Sequence, residues 1–152
     1  LRERIPDLTL RTTFITGFPG ESEEEFAELE AFVKEFRFER CGVFPYSPEP
    51  NTPAAALPDQ IPVEVANARA RKLMRLQRTV MRQANRRWIG REVRMLVDEI
   101  DGRTAVGRAS MDAPEIDNRI VAIAPRRLKA GSFARVRITA ADSYEMIGEI
   151  TR

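Results

Sequence analysis

A length of 152 residues with 43% hydrophobic content allows one globular domain or two small ones. The chain has no apolar run near the roughly 20 residues that a transmembrane helix requires, so we expect no membrane association. One cysteine, Cys41, and no histidine exclude an internal disulfide and a Cys/His zinc site, and they leave too few ligands for an iron–sulfur cluster within this chain.

The net charge of +2 conceals three segments of different charge. Residues 1–63 carry 6 basic and 12 acidic side chains, residues 64–91 carry 9 basic and one acidic, and residues 92–152 carry 10 of each. This series of acidic, basic and neutral segments predicts two domains joined by a helix. We expect the domains at residues 1–63 and 89–152, with the connecting helix at 64–88.

The first predicted elements form a βαβ unit. Residues 8–16 are rich in Thr, Phe and Ile, which favours a strand, and a Gly-Phe-Pro-Gly turn follows it. Ser22 and Glu25 have the spacing of a capping box and predict a helix start. Residues 41–47 are the next predicted strand, parallel to the first. The buried face of the helix is predicted from residues three or four apart, namely Phe26, Leu29, Val33 and Phe36.

A parallel sheet of two strands cannot stand alone, because both of its faces need cover. We therefore expect the first segment to be the tail of a larger α/β domain whose earlier strands are missing, and the chain to be part of a longer protein.

A proline-rich loop at residues 48–62 leads into a long helix that we expect to end near Arg87. Its apolar seam is predicted to be Ala66, Ala70, Leu73, Gln77, Val80 and Ala84. Five arginines share another face, namely Arg71, Arg75, Arg78, Arg82 and Arg86. Such a face is usually solvated, but here i,i+4 acidic partners are absent. A polyanionic neighbour, either RNA or the acidic first domain, is the alternative.

The C-terminal segment has the period-two pattern of short strands. We predict five of them at residues 92–98, 104–109, 119–124, 133–139 and 144–150, with a hairpin turn at Asp101-Gly102. Five short strands in about sixty residues indicate a small closed β-barrel of the OB type.

Three places in the sequence are candidate sites. The loop around Gly17 and Pro19 lacks the glycine-lysine pattern of a phosphate loop, and three glutamates follow it. The loop either binds a nucleoside through its backbone and apolar side-chain edges, or it is a structural turn between strand and helix. Phe44 packs in the core or faces a pocket, and Tyr46 places a hydroxyl near the strand end. The acidic loop 111–117 suits a basic protein partner, or it is a solvated turn.

The strings TTFITGFPGESEEEF, FPYSPEPNTPAA and GRASMDAPEID, with the basic helix and the barrel, resemble the C-terminal part of the radical S-adenosylmethionine (SAM) methylthiotransferases. The resemblance covers essentially the whole chain. It implies the end of a radical-SAM partial TIM barrel, then the long helix, then a five-stranded OB-like TRAM barrel. The predicted fold class is thus α/β plus all-β.

The family has two main branches, one acting on an isopentenyl-adenosine of tRNA and one, RimO, on an aspartate of a small-subunit ribosomal protein. LPDQIP, SMDAPEID and Glu49 resemble the RimO branch, whereas Pro50 resembles the tRNA branch. A stand-alone RNA-binding module is the remaining alternative.

The family usually has Gly at the position of Asn51, and Asn also tolerates a left-handed backbone.

The resemblance implies SAM and two 4Fe–4S clusters as cofactors, with the cluster cysteines upstream and no catalytic or metal-binding residue in this chain. The implied SAM-binding residues are Thr16, Gly17, Phe18, Pro19 and Phe44. The predicted substrate-binding residues are Tyr46, Asp112, Glu115 and Asp117. The expected partners are a basic ribosomal protein and, through the arginine face, ribosomal RNA. We expect a cytoplasmic monomer, inactive as this fragment alone.

Overall fold

The computed structural model describes residues 1–5, 7–114, 116–124 and 128–151. The first half contains strand β1 (Arg11–Thr16), helix α1 (Glu23–Phe36), strand β2 (Arg40–Pro45), a short 3₁₀ helix (Pro53–Ala56) and helix α2 (Val63–Arg86). The second half contains strands β3 (Glu92–Asp101), β4 (Thr104–Arg108), β5 (Arg119–Ile123), β6 (Phe133–Ala141) and β7 (Glu145–Thr151).

The chain forms two compact units, Leu1–Val80 and Met81–Arg152, and the dividing point lies inside α2. The sequence instead predicts a separate connecting helix at 64–88 between domains at 1–63 and 89–152. Those domain boundaries stay a prediction. Each compact unit is described by itself below.

In the first unit, β1 and β2 pair in parallel from Arg11 opposite Arg40 to Thr16 opposite Pro45. Helix α1 crosses between them, as the sequence predicts. The capping box is confirmed, since the Ser22 hydroxyl accepts from the Glu25 N–H at 3.1 Å and the Glu25 carboxylate accepts from the Ser22 N–H at 2.9 Å.

The predicted buried face of α1 is correct for Phe26 and Val33 and wrong for Phe36, which is 39% exposed. Phe36 is the last residue of the helix, so its side chain leaves the core and stacks on Phe38, with ring centroids 4.3 Å apart. The guanidinium of Arg2 lies over the Phe36 ring, 5.2 Å from its centroid.

Helix α2 buries the predicted seam residues Ala66, Ala70, Leu73, Gln77 and Val80. The one polar member, Gln77, is buried because its amide Nε2 donates to the carbonyl of Phe38 at 2.8 Å. The five arginines of the predicted face are all exposed. The seam and the arginine face are therefore separate sides of one helix, as their spacing predicts.

The second unit is a closed barrel in the order β3-β4-β5-β7-β6. Neighbouring strands are antiparallel except β5 and β7, which are parallel. Gly102 has a φ of +58° in the β3–β4 turn, as a tight hairpin requires. The buried core includes Met95, Val97, Ile120 and Met146. The predicted five-stranded barrel is confirmed.

The last turns of α2 belong to the barrel unit. The Asn85 side chain donates to the carbonyls of Asp142 at 2.7 Å and Ser143 at 3.2 Å, between β6 and β7. Arg82 forms an ion pair with the Asp142 carboxylate at 2.8 Å. The Ser143 backbone N–H and then Arg82 lower the pKa of Asp142.

Candidate functional site

The first candidate site is the edge of the sheet where β1 and β2 both end. Because the strands are parallel, their carboxyl ends lie side by side, and this is where α/β proteins bind ligands. The Tyr46 N–H donates to the carbonyl of Thr16 at 2.8 Å, which continues the pairing by one residue. The strand-end loop, residues 17–21, and Tyr46 therefore lie at the same edge.

Thr16 and Gly17 are both buried against α2. The Thr16 hydroxyl donates to the carbonyl of Ala66 at 3.1 Å. Gly17 has a φ of +75°, and a Cβ added there would lie 2.3 Å from the Ala66 Cβ. Both residues thus have a packing role, independent of any ligand.

Three N–H groups of the strand-end loop, those of Gly17, Gly20 and Glu21, are used within the protein. The Gly17 N–H donates to Glu21 Oε2 at 3.0 Å. The Gly20 N–H donates to the carbonyl of Asp59 at 3.0 Å, and the Glu21 N–H to that of Phe18 at 2.9 Å. These groups cannot at the same time cradle a phosphate, so the loop does not act as a phosphate-binding loop in this conformation.

Two predicted residues meet at the outer side of the loop. The rings of Phe18 and Tyr46 pack edge to face with centroids 5.3 Å apart. Phe18 is 43% exposed, and the Tyr46 hydroxyl oxygen is buried without a hydrogen-bond partner in the described part of the chain. An open cavity of about 350 Å³ lies beside this pair and is lined by Phe18, Pro19, Gly20, Glu21 and Glu25.

Phe44 is not in that aromatic pair. It lies opposite Ile15 in the sheet, and both side chains are more than half exposed, Phe44 by 59%. Phe44 therefore does not lie in the core of this unit. The two residues form an uncovered apolar patch on the sheet face, next to the strand-end loop.

Sequence reasoning missed Arg69, which is only 6% exposed. Its guanidinium forms ion pairs of 2.6 Å with both Glu21 and Glu23. Desolvation lowers the pKa of Arg69, but the hydrogen bonds to Glu23 and Glu21 outweigh it and raise the pKa overall. The signal was available, since Arg69 follows Ala66 by three residues and precedes Leu73 by four, which places it on the apolar seam.

The acidic loop of the barrel differs from the expected display of three carboxylates. Asp112 is 8% exposed. Asp117 folds back onto the loop, where its Oδ2 accepts from the Ala113 N–H at 2.7 Å. Glu115 lies outside the described residues. The prediction that these acids bind a substrate stays a prediction.

Asp112 is part of the wall of an open cleft of about 390 Å³. The same cleft contains Arg94, whose guanidinium carbon lies 3.9 Å from the Phe133 ring centroid, and Arg108, which pairs with Asp98. The cleft therefore combines an exposed aromatic ring with two guanidinium groups, and sequence reasoning did not bring these residues together.

Within residues 1–5, 7–114, 116–124 and 128–151, no group of three or more His, Cys, Asp or Glu side chains could hold a metal ion. Cys41 is half-buried, and desolvation raises the pKa of its thiol to about 11. No helix in the described part of the chain is long and apolar enough to cross a membrane.

Comparison with known proteins covers both units. Residues 89–151 match the family described as the TRAM domain. Proteins named "Ribosomal protein uS12 methylthiotransferase RimO" match the whole chain, with 46% identity over 153 residues in Desulfitobacterium hafniense and 50% over 155 residues in a Roseiflexus species. The chain is therefore RimO-like over its whole length. A RimO protein of Escherichia coli is 44% identical over 147 residues.

The chain spans about a third of the length of these RimO relatives: 100% of it matches 34% of the Desulfitobacterium protein, and 97% of it matches 33% of the Escherichia protein. The predicted RimO-like membership and the TRAM barrel are confirmed. Both the strand-end loop and the barrel lie inside the matched region, so the similarity includes the two candidate sites.

Proposed function

We propose that this chain is the C-terminal part of an enzyme that methylthiolates the β-carbon of an aspartate in a small-subunit ribosomal protein. The observation that carries the proposal is the match of the whole chain, at 44–50% identity, to proteins named for action on ribosomal protein uS12. Because its proposed target is a ribosomal protein, we propose that the enzyme acts in the cytoplasm, and that it acts as a monomer.

We further propose that the strand-end loop contacts SAM. The Phe18–Tyr46 pair offers apolar edges beside the open cavity, whose wall also contains the polar side chains of Glu21 and Glu25. This combination fits a nucleoside, whose base stacks and whose hydroxyls form hydrogen bonds. Thr16 and Gly17 shape the loop through their contacts with Ala66, and Phe44 extends the apolar surface beside it.

One cysteine and no histidine do not fit an iron–sulfur cluster. The ligands of both 4Fe–4S clusters would lie in the rest of the longer enzyme. When bound there, SAM and the clusters supply the radical that breaks an unactivated C–H bond, together with the sulfur and methyl groups. The residues of this chain bind and orient SAM, and the chain alone should be inactive.

The experiment is a direct assay of the full-length enzyme, reconstituted with iron and sulfide, on purified ribosomal protein uS12. The expected product is uS12 in which one hydrogen is replaced by a methylthio group. The added mass should map to an aspartate. Modification of isopentenyl-adenosine in tRNA, with uS12 unchanged, would contradict the proposal and favour the other branch of the family.

A specific observation supports RNA as a second candidate target. The Arg94–Phe133 pair joins a cation to an exposed ring in the barrel cleft, which is the combination that stacks nucleic-acid bases. Parallel titrations of residues 81–152 with uS12 and with tRNA, at several salt concentrations, separate the two. Binding to tRNA that falls steeply with salt, without binding to uS12, would assign the barrel to RNA.

A further inference from the structure

Arg69 and Ala66 contact two sides of the strand-end loop from the same face of α2. Ala66 fills the space next to Gly17, where a Cβ would lie 2.3 Å from its own Cβ. Arg69, one helical turn later, donates from Nη1 to Glu21 Oε1 at 2.6 Å and to the Glu21 carbonyl at 3.0 Å. The helix therefore holds the loop through packing and through a buried ion pair.

The Glu21 carboxylate connects Arg69 to the Gly17 N–H. One carboxylate oxygen accepts from Arg69, and the other, Oε2, accepts from the Gly17 N–H at 3.0 Å. A carboxylate held at both oxygens has little rotational freedom, and charged partners shorten and strengthen its hydrogen bonds. The direction of the Gly17 N–H is thereby fixed by a chain of three groups, guanidinium, carboxylate and amide.

The second partner of Arg69 differs in its surroundings. The Glu23 carboxylate also lies 2.6 Å from Arg69, but its side chain is 78% exposed, whereas that of Glu21 is 12% exposed. An exposed ion pair contributes little, whereas a buried one is strongly coupled to its environment. Glu23 is therefore a matched control, because it shares the arginine without belonging to the Gly17 contact.

We propose that Arg69 is a positioning residue, which acts through Glu21 to hold Gly17 in the conformation that the strand-end loop needs to receive its ligand. This inference rests on the proposed function in one respect, namely that the ligand is SAM. The positioning itself is a property of this chain, and its test does not depend on the identity of the ligand.

Amide hydrogen exchange of the intact protein tests the positioning, with the Gly17 amide compared with the Val33 amide in the core of α1. The Arg69→Met/Glu21→Gln double variant removes the buried pair without stranding a charge. Exchange at Gly17 should accelerate at least about 10-fold more than exchange at Val33. In the Glu23→Gln variant, the ratio of the Gly17 exchange rate to the Val33 exchange rate should stay within about twofold of its value in the unchanged protein. A smaller difference in the double variant overturns the positioning role.

Kinetics of the full-length enzyme tests the consequence for the ligand. The double variant should raise KM for SAM about 10-fold with kcat within about twofold, because the loop must be ordered when SAM binds. Arg69→Lys should restore part of the affinity, since it keeps the charge but loses the planar fork. Faster exchange at Gly17 with unchanged SAM affinity would overturn the assignment of SAM to the loop and leave the positioning of Gly17 in place.

Discussion

Gly17 lies directly against Ala66, so that a Cβ on Gly17 would come within 2.3 Å of the Ala66 Cβ and 2.8 Å of its Cα. The contact joins the turn after β1 to α2 across 49 positions of sequence. It also means that replacing Gly17 alters packing whatever the loop binds, so such a variant cannot by itself demonstrate a cofactor contact.

The first prediction concerns this contact. Gly17→Ala should lower the free energy of unfolding by about 2–4 kcal/mol, because it adds both a steric overlap and a strained backbone. Gly20→Ala is the matched control, since Gly20 also has a positive φ but has open space around its Cα. That change should cost only about 1 kcal/mol. Urea unfolding followed by circular dichroism gives both values, and equal losses would contradict the packing role.

The second prediction tests SAM binding at Phe18, whose side chain is 43% exposed, whereas Gly17 is buried. Phe18→Leu removes the exposed ring that packs against Tyr46 and should weaken SAM binding to the full-length enzyme about 3- to 10-fold. Phe36→Leu is the control, because Phe36 has similar exposure and packs against Phe38 instead. Equal SAM affinity in the two variants would leave the strand-end loop without a ligand contact at Phe18.

The third prediction concerns how much of α2 the barrel needs. Residues 81–152 and residues 89–152 should both fold, because the buried residues of the barrel core lie between Val93 and Met146. The longer fragment should be more stable by about 1–3 kcal/mol, since it retains the hydrogen bonds of Asn85 to Asp142 and Ser143. Asn85→Ala in the longer fragment should remove most of that difference in thermal unfolding. Fragments of equal stability would show that these bonds contribute nothing.

The fourth prediction concerns the thiol of Cys41. Its pKa is raised to about 11 by desolvation, whereas a cysteine in an unfolded chain has a pKa of about 8.5. The folded state therefore binds more protons than the unfolded state between these values, and the free energy of unfolding should fall as pH rises through that window. Thiolate absorbance at 240 nm should show a titration midpoint at about pH 8.5 in denaturant and a clearly higher midpoint without denaturant. Coincident midpoints would contradict the burial of the thiol.

The fifth prediction concerns the arginine face of α2, which we propose contacts ribosomal RNA. The double variant Arg71→Gln/Arg75→Gln should bind ribosomal RNA with a weaker salt dependence. The slope of the log affinity for RNA against log salt concentration should become smaller by about 1–2, as expected for the loss of two phosphate contacts. Arg103→Gln with Arg135→Gln is the control, because these exposed arginines lie on the barrel. A slope changed equally by both pairs would indicate general attraction by charge rather than contact through this face.

Local sequence patterns predicted most of the fold. The S-x-x-E spacing at Ser22, the Asp101-Gly102 pair and the alternation along the last sixty residues each depend on neighbours within four positions, and each has the predicted structure. Phe36 fits the same periodicity but is exposed, because periodicity does not say where the core ends relative to the last turn of a helix.

The candidate sites depended more on the tertiary structure. The sequence by itself determined that the strand-end loop follows a parallel strand, that it lacks a phosphate-loop pattern, and that the chain resembles a methylthiotransferase. Only the tertiary structure decided that Gly17 is needed against Ala66, that Arg69 is buried with Glu21, and that Asp112 lies in a cleft with Arg94. The physical reason is range: capping, turns and alternation follow from adjacent residues, whereas burial of a charge depends on which distant segment packs against it.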